Sequence, residues 1–356
     1  MKTITTRSRR ARTLTIVLGA AVALPTAASA HHSEAGMDQE TVVTIEGTVS
    51  EYSWRNPHVY IAVDVPNQQG GSTEWVVQTG PIVAVSRRGW TASTLVPGDK
   101  VVVGVHPARD GRSYGLLSSI EKQGGIVLAS GVRPGGTPTS APPETASTDN
   151  LNGLWFANRA ELTAYPGGFD GFFRSNMKLT EAGAAAVAAY DPLSAENPES
   201  QCIGRPTPAM IVASDLYPIQ IEIDEAARIV YIRSGFWDEE RTVYMDGRSH
   251  PDIAQRFASG HSIGRWDGET LVVDTTNFTD HRSPYQIGVP SGAGKHVVER
   301  YRLNDQGTRV IVDFVLEDPQ YLTAPVVHTR ELIYSPQMEM PRYDCDPTSP
   351  SRFVAH

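Results

Sequence analysis

The sequence predicts a mainly β protein in two domains, and three observations carry that reading. Five short β-rich runs between Thr41 and Leu128 alternate with turn formers. A stretch dominated by Ser, Gly, Thr and Pro follows, with almost nothing to bury. From Ile219 onward at least eight further runs recur at hairpin spacing.

The N-terminus sets the expected address. Lys2, Arg7, Arg9, Arg10 and Arg12 precede an apolar run from Leu14 to Leu24, and Ala28-Ser29-Ala30 forms a small-residue cleavage site. This is the pattern of a secretory signal peptide over residues 1–30, so a periplasmic location is expected. Arg9-Arg10 resembles a twin-arginine signal, but Arg12 stands where a bulky apolar residue is usual, which favours general export. The apolar run is too short to span a bilayer, and no other stretch is longer, so no integral membrane segment is expected after cleavage.

The chain has 356 residues, 31 Lys+Arg against 40 Asp+Glu, and a net charge of −9. Cleavage after Ala30 would remove five basic residues and leave 26 against 40, a net −14. Nucleic acid is thereby disfavoured, since its phosphates call for a basic surface. Two cysteines, Cys202 and Cys345, exclude an all-cysteine zinc site. In an oxidising compartment they are expected to pair.

The first domain is placed at residues 31–129. Its runs are Thr41 to Val49, Val59 to Val65, Glu74 to Gln78, Lys100 to Val105 and Ser118 to Leu128. Gly70-Gly71, Pro97-Gly98-Asp99 and Asp110-Gly111 punctuate them. With one irregular or helical insert around Ala84 to Arg88, they predict a small five-stranded OB-like barrel. Residues 130–150 read as an extended, flexible linker that separates the two domains.

The second domain, residues 151–356, opens with a helix from Thr180 to Tyr190, stopped by Asp191-Pro192. One or two helices are expected in all. Then come Ile219 to Asp224, Arg228 to Arg233, Arg241 to Met245, Ser262 to Trp266, Glu269 to Thr275, His296 to Leu303, Thr308 to Leu316 and Val326 to Ile333. That succession predicts a larger antiparallel β-barrel or meander, an architecture that removes exposed edges and holds small ligands in its mouth.

Asp267-Gly268, flanked by strand formers, predicts a two-residue hairpin turn. The register then sets Trp266 against Glu269, Arg265 against Thr270, Ile263 against Val272 and His261 against Asp274. His261, Arg265 and Asp274 share a face, and Trp266 falls with Leu271 and Val273 on a core face. His261 is a candidate general base with Asp274 as orienter, and Arg265 a candidate anion holder. Ser262 points the other way, so no serine nucleophile is expected. His250 and His281 lie in loops, and Glu299 and Arg300 are charged strand residues with a solvent-facing default.

A second chemical signal is the new N-terminus. His31 would chelate a metal through its α-amine and ring, with His58 of the Trp54 to His58 turn as a further ligand and His32 and His106 as spares. Nitrogen donors of this kind suit copper.

Two resemblances rest on these motifs. His31-His32-Ser33, Trp54 to His58, Arg87 to Trp90 and Pro97 to Asp99 resemble a family of secreted bacterial proteins known only as a domain of unknown function. Glu34 departs from the aromatic residue usual there. Residues 245–251, 260–275 and 317–319 are similar to a second uncharacterised secreted group. The resemblances imply the architecture and the compartment and bring no activity. The sequence therefore predicts a periplasmic protein that binds a small molecule or metal ion. Acid–base enzymology at His261 and Asp274 is the alternative, and an interaction protein of two separate modules is a third reading.

Overall fold

The computed structural model describes residues 36–123, 126–129, 146–157, 165, 168–194, 196–215, 217–340 and 342–353. The expected leader, His31, His32 and residues 130–145 of the expected linker lie outside them.

The first barrel is built from β1 (Val43–Ser53), β2 (Tyr60–Pro66), β3 (Ser72–Gln78), β4 (Lys100–Pro107) and β5 (Tyr114–Lys122), with β6 (Ile126–Ala129) added outside β5. β1 serves two neighbours. Its first half pairs with β4 and its second half with β2, and a bulge between Val49 and Glu51 bends it between them. A Cβ at Gly47 would lie 2.4 Å from the Asp64 carbonyl oxygen, so only glycine admits that approach. Parallel pairing of Val76 to Gln78 with Tyr114 to Leu116 closes the ring in the order β1-β2-β3-β5-β4. An odd number of strands requires one parallel pair, and this closure is the five-stranded OB-like barrel the sequence predicts. The helix Ile82–Ser86 falls in the expected insert, and Val85 and Trp90 join the core.

The second barrel has nine strands. They are β7 (Gly153–Ala157), β8 (Ile219–Asp224), β9 (Ile229–Ser234), β10 (Glu239–Tyr244), β11 (His261–Asp267), β12 (Thr270–Thr276), β13 (His296–Leu303), β14 (Arg309–Glu317) and β15 (Val326–Tyr334). β7, absent from the sequence reading, lacks polar alternation; it closes the barrel between β8 and β15. Again one pair is parallel: β10 meets β11 through Val243–Ser262 and Tyr244–Ile263 after a crossover over residues 245–260. Met210 and Ile211, from the helix Ala209–Val212, fill the interior beside Trp155, Ile219 and Val243.

Helices exceed the expected one or two. The predicted one forms as Glu181–Ala188, where the Gly183 N–H donates to the Thr180 hydroxyl at 3.1 Å. Gly168–Asn176 buries Phe172 and Phe173, and Thr348–Phe353 ends the described chain.

The C-terminal tail and the segment around Leu193 pack the second domain against the first barrel. Cys202 and Cys345 form a disulfide with a Cα–Cα distance of 5.8 Å. Beyond it the tail lies on the first barrel: Asp346 N donates to the Asn56 carbonyl at 3.0 Å, and Phe353 stacks on Tyr60 at 4.8 Å. Leu193 and Phe353 thus cover the outer face of β2 and β5 at Tyr60, Ala62 and Tyr114. Linker composition says nothing of a tail that returns across the boundary.

Candidate functional site

The β11–β12 hairpin departs from the predicted register by two residues. Asp267 pairs with Thr270, Ile263 with Asp274, and His261 with Thr276. The turn residues are Gly268, at φ 62°, and Glu269, so glycine holds the first turn position rather than the second. A shift of two keeps every side chain on its face. His261 and Asp274 therefore remain on one face but are diagonal rather than opposed.

His250, from the β10–β11 crossover, fills the gap between them. Its Nδ1 lies 2.9 Å from His261 Nδ1, and its Nε2 lies 3.2 Å from Asp274 Oδ1. The same carboxylate oxygen meets His296 Nε2 at 2.9 Å, and His296 Nδ1 is 3.5 Å from Glu317 Oε2. The result is a chain across four strands and a loop: His261, His250, Asp274, His296, Glu317. Tyr244 stacks on His261 at 5.3 Å, with Phe257 at 5.7 Å, so the ring is half walled by aromatics.

Partner chemistry assigns the protons. The hydrogen bond from His296, joined by the charges of His296 and His250, holds the Asp274 carboxyl below its usual range against burial. The hydrogen bond to Asp274 in turn raises His296. An ionised Asp274 can only accept, so His250 donates from Nε2 and its Nδ1 is free to accept from His261. Nε2 of His261 then carries the lone pair. Burial, followed by the charges of His250 and Arg248, pushes His261 below the ordinary imidazole value.

Arg265 is not brought to this cluster. It lies four residues along β11 from His261, about 13 Å at strand rise. It lines a different feature, at the hairpin end of the barrel. Two cavities, of about 490 and 970 Å³, meet there at Ile223, Glu225 and Trp266. Trp266, expected in the core, is 46% exposed. It shares the inward face with Leu271 and Val273 but sits beyond the last core layer, so its ring stands in the mouth.

His58 is held at the boundary between the barrels. Its Nδ1 lies 3.0 Å from the Thr79 carbonyl and its Nε2 3.1 Å from Glu199 Oε2. Both ring nitrogens are thus engaged by the protein as placed, rather than turned to a metal ion. Glu199 also accepts from Arg205 and Gln286. Burial alone would raise its carboxyl, but the Arg205 charge and then the bond and charge of His58 hold it well below the usual range. His31, the other expected ligand, lies outside the described residues, and among those no group of three or more His, Cys, Asp or Glu is arranged to hold a metal ion.

Residues 20–118 match DUF6152, a family of unknown function. The DUF6152 match takes in His58 and most of the first barrel, and ends before the cluster and the cleft of the second. No curated protein matches the chain.

Two other loop or strand residues prove structural. His281 is buried, with Nε2 2.9 Å from the Gly204 carbonyl, and burial pushes it down to about 3. Glu299 turns inward, correcting its solvent-facing reading, while Arg300 faces out to Asp267 at 2.8 Å. The sequence missed His296 and Glu317 as cluster members. The alternation of HVVERYRL puts His296 on the outer face with Val298, but the long 277–295 connection hides the register that brings it to Asp274.

Proposed function

We propose that the chain is an exported, periplasmic small-molecule-binding protein whose ligand seats against Trp266 in the mouth of the second barrel. The exposed indole at the junction of two cavities carries this reading. Cavities of this size suit a small ligand, and a large aromatic left uncovered in a concave site supplies a stacking platform. One arm offers Ile229, Val230 and Met245 beside Arg228 and Arg265, and the other offers Asn152, Asn304 and Gln306. An apolar wall facing amide and charged groups fits a planar ring compound with polar substituents. The leader pattern and the Cys202–Cys345 bridge support the compartment.

The acid–base alternative stands second. The hydrogen-bond chain that frees Nε2 of His261 favours it, but neither cavity is lined by His261 or Asp274. The test is a panel of planar polar ring compounds titrated against the intrinsic tryptophan fluorescence. Ligands of the wild-type protein should lose at least about tenfold in affinity in Trp266→Ala, the scale of one lost stacking contact. Ligands that bind Trp266→Ala as tightly as wild type would overturn the reading.

A further inference from the structure

We propose that His250 and His261 form a two-histidine chelate for a borderline divalent metal ion, Cu(II) or Zn(II), on the outer face of the second barrel. The argument begins with the two Nδ1 atoms, 2.9 Å apart. Two nitrogens bound to one metal at about 2.0–2.1 Å stand about 2.9 Å apart at the right angle of a tetragonal Cu(II) site and about 3.3 Å apart at the tetrahedral angle of Zn(II). The pair is therefore within about 0.5 Å of ligand-to-ligand spacing, and turning the two rings, which meet nearly head-on with centroids 5.1 Å apart, aims both lone pairs at one metal without moving the strands.

The supporting shell points the same way. A metal-bound histidine commonly donates its other ring N–H to a carboxylate, which fixes the tautomer and raises the basicity of the binding nitrogen. His250 does this through Nε2 to Asp274, which leaves Nδ1 for the metal. Asp274 is itself held by His296. His261 must carry its proton on Nε2 to free Nδ1. A neutral ring changes tautomer, so the metal gains two nitrogen lone pairs, loses two waters and displaces no net proton. Among the described residues no third side chain is arranged as a ligand, so water or a small exogenous ligand completes the sphere. Imidazole donors select Cu(II) and Zn(II) over Mg(II) or Ca(II). Tyr244 stacks on His261 and Phe257 lies beside it, so aromatic rings wall the site.

The test uses the full mature chain, titrated calorimetrically with Cu(II) and with Zn(II) at neutral pH. One equivalent should be lost in His250→Ala and in His261→Ala, and kept in His31→Ala and His106→Ala. Asp274→Asn should keep the stoichiometry and weaken affinity about 10–100-fold. A second measurement needs no variant: substoichiometric Cu(II) should broaden the NMR ring signals of His250 and His261 before those of any other histidine. Unchanged binding in both alanine variants, or broadening that begins at another histidine, would overturn the proposal.

Discussion

Val49, Ile61, Val63, Val77, Val103 and Leu117 fill the first barrel without a charge among them, whereas the second encloses Arg241, Glu299 and Arg330 among its apolar residues. Among the described residues every buried charged side chain belongs to the second domain. Strand number explains the difference. Barrel width grows with the number of strands, and five leave room for little beyond their own side chains. Nine leave a lumen, and the chain fills it with its own segment around Thr207 and Met210. A plug brings backbone and hydroxyl groups into the interior, where each needs a partner. Arg330 donates to the Val212 carbonyl at 3.3 Å, and Glu299 accepts from the Thr207 hydroxyl at 2.6 Å. Closing a wide barrel with a plug thus draws polar chemistry inside, and a narrow one avoids it.

The largest effect expected from breaking this contrast is at Glu299. It accepts from both terminal nitrogens of Arg241 and from Tyr301 at 2.9 Å, in complete burial. Glu299→Leu strands the guanidinium and should cost about 3–5 kcal/mol in urea unfolding. Arg241→Met combined with Glu299→Leu should be less damaging than the single change, because removing both charges leaves neither unpaired. A double variant worse than Glu299→Leu would show that the pair stabilises the plug beyond mutual compensation.

Lys295 gives the next effect, read through pH. Its ammonium is buried over the rings of Phe278 and Tyr285, at 4.3 and 5.1 Å. Burial pushes it down to about 7, with Asp318, Glu239 and Glu299 opposing the fall. Above that value the folded protein has shed a proton that the unfolded chain keeps to about pH 10.4. The unfolded state then binds more protons, so stability rises with pH across that window, by up to about 1.4 kcal/mol per unit. Lys295→Met should flatten the rise. An unchanged slope in the variant would place its origin elsewhere.

How much of this was legible follows from how far apart the partners stand in sequence. Alternation along single strands gave both barrels, and Asp267-Gly268 gave the hairpin and its faces, since a slip of two residues preserves sidedness. The same dipeptide misplaced the partner of His261, because glycine can open a turn as well as complete one. His250 was visible as a loop histidine, but its position between His261 and Asp274 depends on the crossover that the parallel β10–β11 pair imposes. The inward turn of Glu299 was hidden for a related reason. In HVVERYRL both faces carry apolar and charged residues, so parity cannot be chosen until the plug is known. The disulfide was legible from the two cysteines and the compartment expected from the leader pattern, and the packing of the tail on Tyr60 was not.

Ile61→Val sharpens the comparison from the quiet side. Ile61 is fully buried in a core built mainly of valines, where Val59, Val63, Val77 and Val103 already set the local shape. Losing one methylene there removes a few contacts and leaves no polar group unpaired, so the expected cost is about 0.5–1.5 kcal/mol. The loss should also be the same at pH 7 and pH 10, since no buried titratable side chain lies in that interior. Urea unfolding at both values measures it against Glu299→Leu in the same protein. A loss exceeding that of Glu299→Leu would mean that the narrow barrel, tightly filled and unable to relax, limits the stability of the molecule, and that the charges in the wide one are well accommodated.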